Sequence, residues 1–153
     1  MGDGEHAPRV VVGVDGSPDS YDALRWAVRH AQLIGAAVEA IAAYDLPLGA
    51  GWPAPAVDAD FDEAETRRAV AEEIRRVVGR DSPVPLEQHM VRGNPADVLL
   101  GASDGAELLV VGSRGRGGFA RLLLGSVSQQ CALHAACPVV IVRPHGGSAD
   151  ELS

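Results

Sequence analysis

The chain has 153 residues, 46% of them apolar, which is enough for one domain with a real core and leaves little for a second. Its formal charge of −8 argues against a general nucleic-acid surface, and all 13 basic residues are arginine. With no lysine, neither a P-loop lysine nor Schiff-base chemistry is available. No apolar run approaches the roughly 18 to 20 residues of a membrane span. Met1 to Arg9 is polar, without the apolar core of a secretory signal, so a soluble, cytoplasmic protein is expected.

Arg9 to Val14 (R-V-V-V-G-V) is β-branched without alternation, the pattern of a strand covered on both faces. After Asp15-Gly16-Ser17-Pro18, the residues Leu24, Ala27, Val28, Ala31 and Leu33-Ile34 recur at helical spacing, and Gly35 closes the helix. Ala37 to Tyr44 is a second apolar run. Leu46 to Val57, rich in proline and glycine, fits no element and is expected to be a mobile loop. Asp60 to Gly79 carries Phe61, Ala64, Val70, Ile74 and Val77-Val78 on one face and charges on the other, so an amphipathic helix is predicted.

Leu86 to Val91 alternates, as a half-buried strand at a sheet edge would. Asn94-Pro95 supplies a cap and a first-turn proline for a helix reaching Ser103, and Glu107 to Gly112 reads as the fourth strand. A helix is predicted over Val127 to Ala136 with Ser126 as its cap, then a last strand over Pro138 to Val142. The ordered core is expected at about 8–144 of a single domain spanning 1–153, with flexible ends. Cys131 and Cys137 lie in apolar surroundings and read as two buried thiols. The five histidines show no pairing with one another or with cysteine at metal-ligand spacing, which argues against a zinc site.

Strands alternating with helices imply an α/β, doubly wound fold with a parallel sheet and right-handed crossovers. A ligand crevice is then expected beyond the strand carboxyl ends at the point where strand order reverses, so that Asp15 and Gly112 face one site. The segment Gly112 to Ser126 (G-S-R-G-R-G-G-F-A-R-L-L-L-G-S) lies at a strand-to-helix junction, where backbone N–H groups and the helix dipole favour anions. A P-loop is excluded by Gly125-Ser126-Val127 without lysine. Gly115, Gly117 and Ala120 do match G-x-G-x-x-A, but the acidic residue that a dinucleotide site needs about 20 positions on is missing.

What does fit is G-x-x-G, nine residues, then G-[ST], met by Gly112, Gly115 and Gly125-Ser126. Together with V-V-G-V-D-G-S at Val11 to Ser17, V-R-G-N-P at Val91 to Pro95, V-V-G-S-R-G-R-G-G-F at Val110 to Phe119, L-L-L-G-S-V-S at Leu122 to Ser128 and C-P-V-V-I-V at Cys137 to Val142, it resembles the universal stress protein family. The intact glycine pattern resembles that family's ATP-binding branch. The resemblance implies a five-stranded, Rossmann-like sheet of the adenine nucleotide alpha-hydrolase type with strand order 3-2-1-4-5. It implies ATP as ligand, with Mg²⁺ held mainly through phosphate oxygens.

Residue by residue, the resemblance places Gly13, Val14 and Asp15 on one wall of the nucleotide site, with Asp15 near ribose or metal. The lesser alternative is that Asp15 caps the first helix. Ala43 would meet the adenine through its backbone, or be a plain core alanine. Val111 and Gly112 would border sugar and phosphates, Arg114 and Gly115 the phosphate turn, and Gly125, Ser126, Val127 and Ser128 the helix start that receives phosphoryl oxygens. Arg116 and Arg121 could screen phosphate charge. No catalytic residue and no protein metal ligand is expected. The implied function is an ATP-binding regulator of stress response or dormancy without efficient turnover, the alternatives being a slow ATPase or phosphotransferase and a ligand-free interaction module. A homodimer paired through Val139, Val140, Ile141 and Val142 is the implied assembly, with no nucleic acid and no membrane as partner.

Overall fold

The computed structural model describes residues 8–44, 63–114 and 124–143. The expected mobile loop at 46–57 and the flexible ends lie outside the described residues. In chain order the elements are β1 (Arg9–Gly13), α1 (Pro18–Ile34), β2 (Ala37–Tyr44), α2 (Glu63–Val78), β3 (Leu86–Arg92), α3 (Pro95–Ala102), β4 (Leu108–Gly112), α4 (Ser126–His134) and β5 (Val139–Val142). The strands form one parallel sheet in the order β3-β2-β1-β4-β5. This is the doubly wound α/β arrangement, with β3 at one edge as its alternation implies.

Period-two alternation along the strands divides the core into two. Val10, Val12, Val14, Val38, Ala40, Leu108 and Val110 pack under Leu24, Ala27, Val28 and Ala31 of α1 and Val70 and Ile74 of α2. Val11, Ile41, Leu109 and Val111 point the other way, onto Leu99 of α3 and Cys131 of α4. Both faces of β1 and β4 are therefore covered, which is why their sequences show no polar alternation.

Local chemistry sets the helix starts. Ser17 caps α1 by accepting from the Ser20 amide at 3.2 Å, with Pro18 in the first turn. Asn94 caps α3 in the same way, accepting from the Asp97 amide at 3.2 Å. Several boundaries shift by one or two residues from expectation, and those of α4 and β5 have a local cause. α4 begins at Ser126 and stops at His134, because the Ala136 amide leaves the helix to donate to Ser103 Oγ at 3.0 Å. β5 begins at Val139, since Pro138 has no N–H and contributes only its carbonyl, to the Leu109 amide at 3.0 Å. No helix among the described residues is long and apolar enough to cross a membrane.

Leu109 is fully buried in the central strand pair, so Leu109→Ala should cost about 2–5 kcal/mol in equilibrium urea unfolding. Leu33, 82% exposed at the end of α1, should change stability by less than about 0.5 kcal/mol on the same substitution. Equal effects at the two positions would contradict this layering.

Candidate functional site

β1 and β4 are neighbours in the sheet, but the chain crosses from β1 toward β2 and from β4 toward β5. Strand order reverses between them, so a crevice opens beyond their carboxyl ends. Gly13 closes β1 against Leu99 of α3. The Val14 amide then donates to Ile41 O at 2.9 Å, tying the exit of β1 to β2, and Val14 itself is buried. Asp15 opens a tight turn: its Oδ1 accepts from the Ser17 amide at 2.9 Å and from the Ser17 hydroxyl, while its own amide donates to Ser20 Oγ at 3.2 Å. Gly16 sits at φ 84°, a conformation glycine adopts without penalty. The cap of α1 therefore falls to Ser17 and not to Asp15, which lies at the rim of the crevice.

Gly112, at the end of β4, meets the first turn of α1 directly. A Cβ at this position would lie 2.8 Å from Asp19 O, closer than real Cβ atoms come to backbone. Next to it, Ser113 is a junction. Its amide donates to Val142 O at 2.9 Å, and its carbonyl accepts from the Gly125 amide at 2.6 Å and from Ser128 Oγ at 3.1 Å. Its hydroxyl donates to Asp19 Oδ2 at 3.4 Å. Arg114 Nε lies 3.6 Å from the same carboxylate oxygen, so Asp19 gathers Ser113 and Arg114 at the mouth of the crevice. Neither Asp19 nor Ser113 stood out by residue type. The signal that could have found them is their place in S-P-D and G-S-R, one residue beyond positions already singled out.

The fourth helix supplies the donors. Gly125, extended at φ −77° and ψ 172°, is the N-cap and has no side chain to offer, and Ser126 is the first helical residue rather than the cap expected for it. The first turn, Ser126-Val127-Ser128, thus carries no side-chain cap. Its amides and the helix dipole are available to an anion. Ser128 Oγ points inward, donating to Gly125 O at 3.0 Å as well as to Ser113 O, so only its backbone can serve a ligand.

Val111 is buried in the core behind the crevice. Ala43 lies near the end of β2, half-buried and opposite Val91 in the register. Gly115, Arg116 and Arg121 lie outside the described residues. The structure thus brings Gly13, Val14, Asp15, Gly112 and Arg114 to the same strand ends as Gly125 to Ser128, with Ala43 one strand further on.

The cysteines do not join this site. Cys131 is buried on the inner side of α4, and burial, reinforced by nearby Cys137, pushes its thiol up to about 11. Cys137 is half-exposed rather than buried as expected, and its thiol is also raised, chiefly by desolvation. Both are free thiols whose surroundings disfavour the thiolate.

Comparison with known proteins agrees with the fold. The family model described as the universal stress protein family matches residues 7–143. A universal stress protein of Mycobacterium tuberculosis is 35% identical over 138 residues, covering 87% of this chain and 47% of that protein. This chain spans about half the length of the curated relatives it matches. Among solved structures, a universal stress protein in complex with cAMP is 29% identical with a TM-score of 0.67, covering 90% of this chain and 98% of that one. One from Archaeoglobus fulgidus in complex with dAMP is 27% identical with a TM-score of 0.57, covering 90% and 98%.

The close pass at Gly112 predicts that Gly112→Ala, which must push α1 off the end of β4, lowers stability by about 1–3 kcal/mol in thermal or urea unfolding. Gly101, in α3 with open space around its Cβ position, is the matched control: Gly101→Ala should raise stability by about 0.5–1 kcal/mol.

Proposed function

The chain belongs to the universal stress protein family, and on that premise we propose that it binds ATP, with Mg²⁺, beyond the carboxyl ends of β1 and β4. It then acts as a cytoplasmic nucleotide-dependent regulator and not as an efficient enzyme. The observation that carries this reading is the uncapped first turn of α4, Ser126-Val127-Ser128, fixed beside β4 by the Gly125 amide on Ser113 O. A helix start with no side-chain cap, at a sheet switch point, fits a phosphate group in charge and in hydrogen-bond geometry. The relatives solved with cAMP and dAMP support an adenine nucleotide in particular. In this reading the turn after β1, with Asp15, borders the sugar, and the backbone at Ala43 borders the base. Arg114, already at the crevice mouth, faces the outer phosphates. Mg²⁺, when bound, neutralises phosphate charge, coordinated mainly by phosphate oxygens and water.

Turnover needs a positioned base or water-orienting group. The two carboxylates at this site are already committed, Asp15 to the Ser17 turn and Asp19 to Ser113 and Arg114. That commitment favours binding over hydrolysis.

Assembly follows from the other end of the sheet. β5 is a four-residue apolar edge strand whose residues are all half-exposed. Such an edge is completed by pairing with another chain. The reading is therefore a homodimer joined about a two-fold axis through Val139, Val140, Ile141 and Val142.

Purified protein should saturate with ATP below millimolar concentration in equilibrium dialysis, and Arg114→Ala should weaken ATP about tenfold while affecting AMP less. Absence of saturation would remove the nucleotide reading. Metal-dependent phosphate release well above a mock-purified control would replace regulation with catalysis. Val140→Asp should convert dimer to monomer in light scattering, and an unchanged dimer would refute the β5 interface.

A further inference from the structure

The sheet face that carries α3 and α4 is only partly covered. α3 has eight residues, and beyond it, over β2 and β3, the face opens into a cavity of about 430 Å³. Its polar lining comes from Arg9, Glu39, His89 and Asp97. Parallel register decides what meets there. Glu39 of β2 stands directly opposite Glu87 of β3, and His89 follows two residues along β3, on the same face and opposite Ile41.

Two like charges directly opposite on neighbouring strands destabilise a sheet. Arg9 compensates only one of them: its Nη1 lies 2.6 Å from Glu39 Oε1, while its Nη2 is taken up by Ala102 O at 3.2 Å and Asp104 O at 2.9 Å. Around the cavity and its rim, one guanidinium faces the three carboxylates of Glu39, Glu87 and Asp97, leaving a formal charge of minus two when His89 is neutral. A network of ion pairs alone does not balance this group.

The donor atoms converge on a single point. His89 Nε2 is 3.2 Å from Glu39 Oε2 and 3.2 Å from Glu87 Oε1, and the three ligand atoms all lie within 4.8 Å of one another. Donors bound to a common Zn²⁺ at about 2.0–2.2 Å stand roughly 3.0–3.5 Å apart for bond angles between octahedral and tetrahedral. Two edges of a coordination polyhedron are thus in place. Arg9, holding Oε1, fixes the Glu39 carboxylate with Oε2 turned toward His89, as an outer-shell partner of a metal ligand does. The side chains of His89 and Glu87 are 44% and 71% exposed, so an ion can enter from solvent.

We propose that Glu39, Glu87 and His89 form a site for a divalent first-row transition cation of the Zn²⁺ type, with the cavity side left for water or an exogenous donor. One imidazole and two carboxylates favour such an ion over Mg²⁺ or Ca²⁺, which prefer all-oxygen shells. A search for paired histidines or cysteines does not reveal this set, because two ligands are carboxylates and one comes from a strand 48 residues away from Glu87 in the chain. The site is separate from the nucleotide crevice: Glu39 precedes Ala43 by four residues, about 13 Å along β2.

Titrating metal-free, full-length protein with Zn²⁺ against a chromophoric chelator tests this. One Zn²⁺ per chain is expected, with affinity lowered at least tenfold in His89→Ala and in Glu87→Gln, the latter a conservative change at an exposed side chain. Each variant should show the same unfolding midpoint in EDTA and in Zn²⁺, whereas Zn²⁺ raises that of wild type. X-ray absorption at the zinc edge should show nitrogen and oxygen neighbours without sulfur. Zn²⁺ binding of unchanged affinity in both variants, a sulfur shell from Cys137, or no binding tighter than millimolar would overturn the site.

Discussion

The first turn of α1 rests on the end of β4 so closely that only glycine fits beneath it. Gly112 would place a Cβ 2.8 Å from the Asp19 carbonyl, and that contact sets where the α1 start, the β1 turn and the β4 exit stand relative to one another. From it follow the hydrogen bond of Ser113 to Asp19 and the approach of Arg114 to the same carboxylate. Ser113 then draws Gly125, and with it the start of α4, to the strand ends. Gly112 of the glycine motif thus has a packing duty of its own. A larger residue would displace the frame that aims the α4 amides, even if it left the crevice itself open.

Much of this was legible in the sequence, for identifiable reasons. The unalternating runs at Val10 to Val12 and Leu108 to Val111 are what a strand buried on both faces must look like, and β3 announced its edge position by alternating. Asn94-Pro95 marked the start of α3 to the residue, whereas the cap of α1 is Ser17 and not the Asp15 weighed for that role. The cap of α4 was misread because Ser126 is a favoured cap type, whereas the Gly125 amide on Ser113 O pulls the extended residue one position earlier. The roles of Asp19 and Ser113 depend on two elements 94 residues apart meeting, which no local pattern encodes. Ser128, a plausible phosphate ligand by motif, turns its hydroxyl into the protein to satisfy two carbonyls.

The unequal cover of the two sheet faces accounts for the rest of the chemistry. Two long helices, α1 and α2, seal one face with an apolar cluster that reaches from Val10 to Ile74. The shorter α3 and α4 leave the other face open over β2 and β3, and there Glu39, Glu87 and His89 stand on the face alongside Ile41 and Val91. Polar residues on a sheet face are expected where no helix excludes water.

Hydrogen–deuterium exchange with and without saturating ATP and Mg²⁺ tests the proposed nucleotide site most directly, because the donors offered by the start of α4 are backbone amides. Slowed exchange at Ser126, Val127 and Ser128, together with the turn at Asp15 and Gly16, is the expected result. Unchanged exchange in these two segments under saturating ATP, or protection confined to β3 and α3, would contradict a phosphate site at the start of α4.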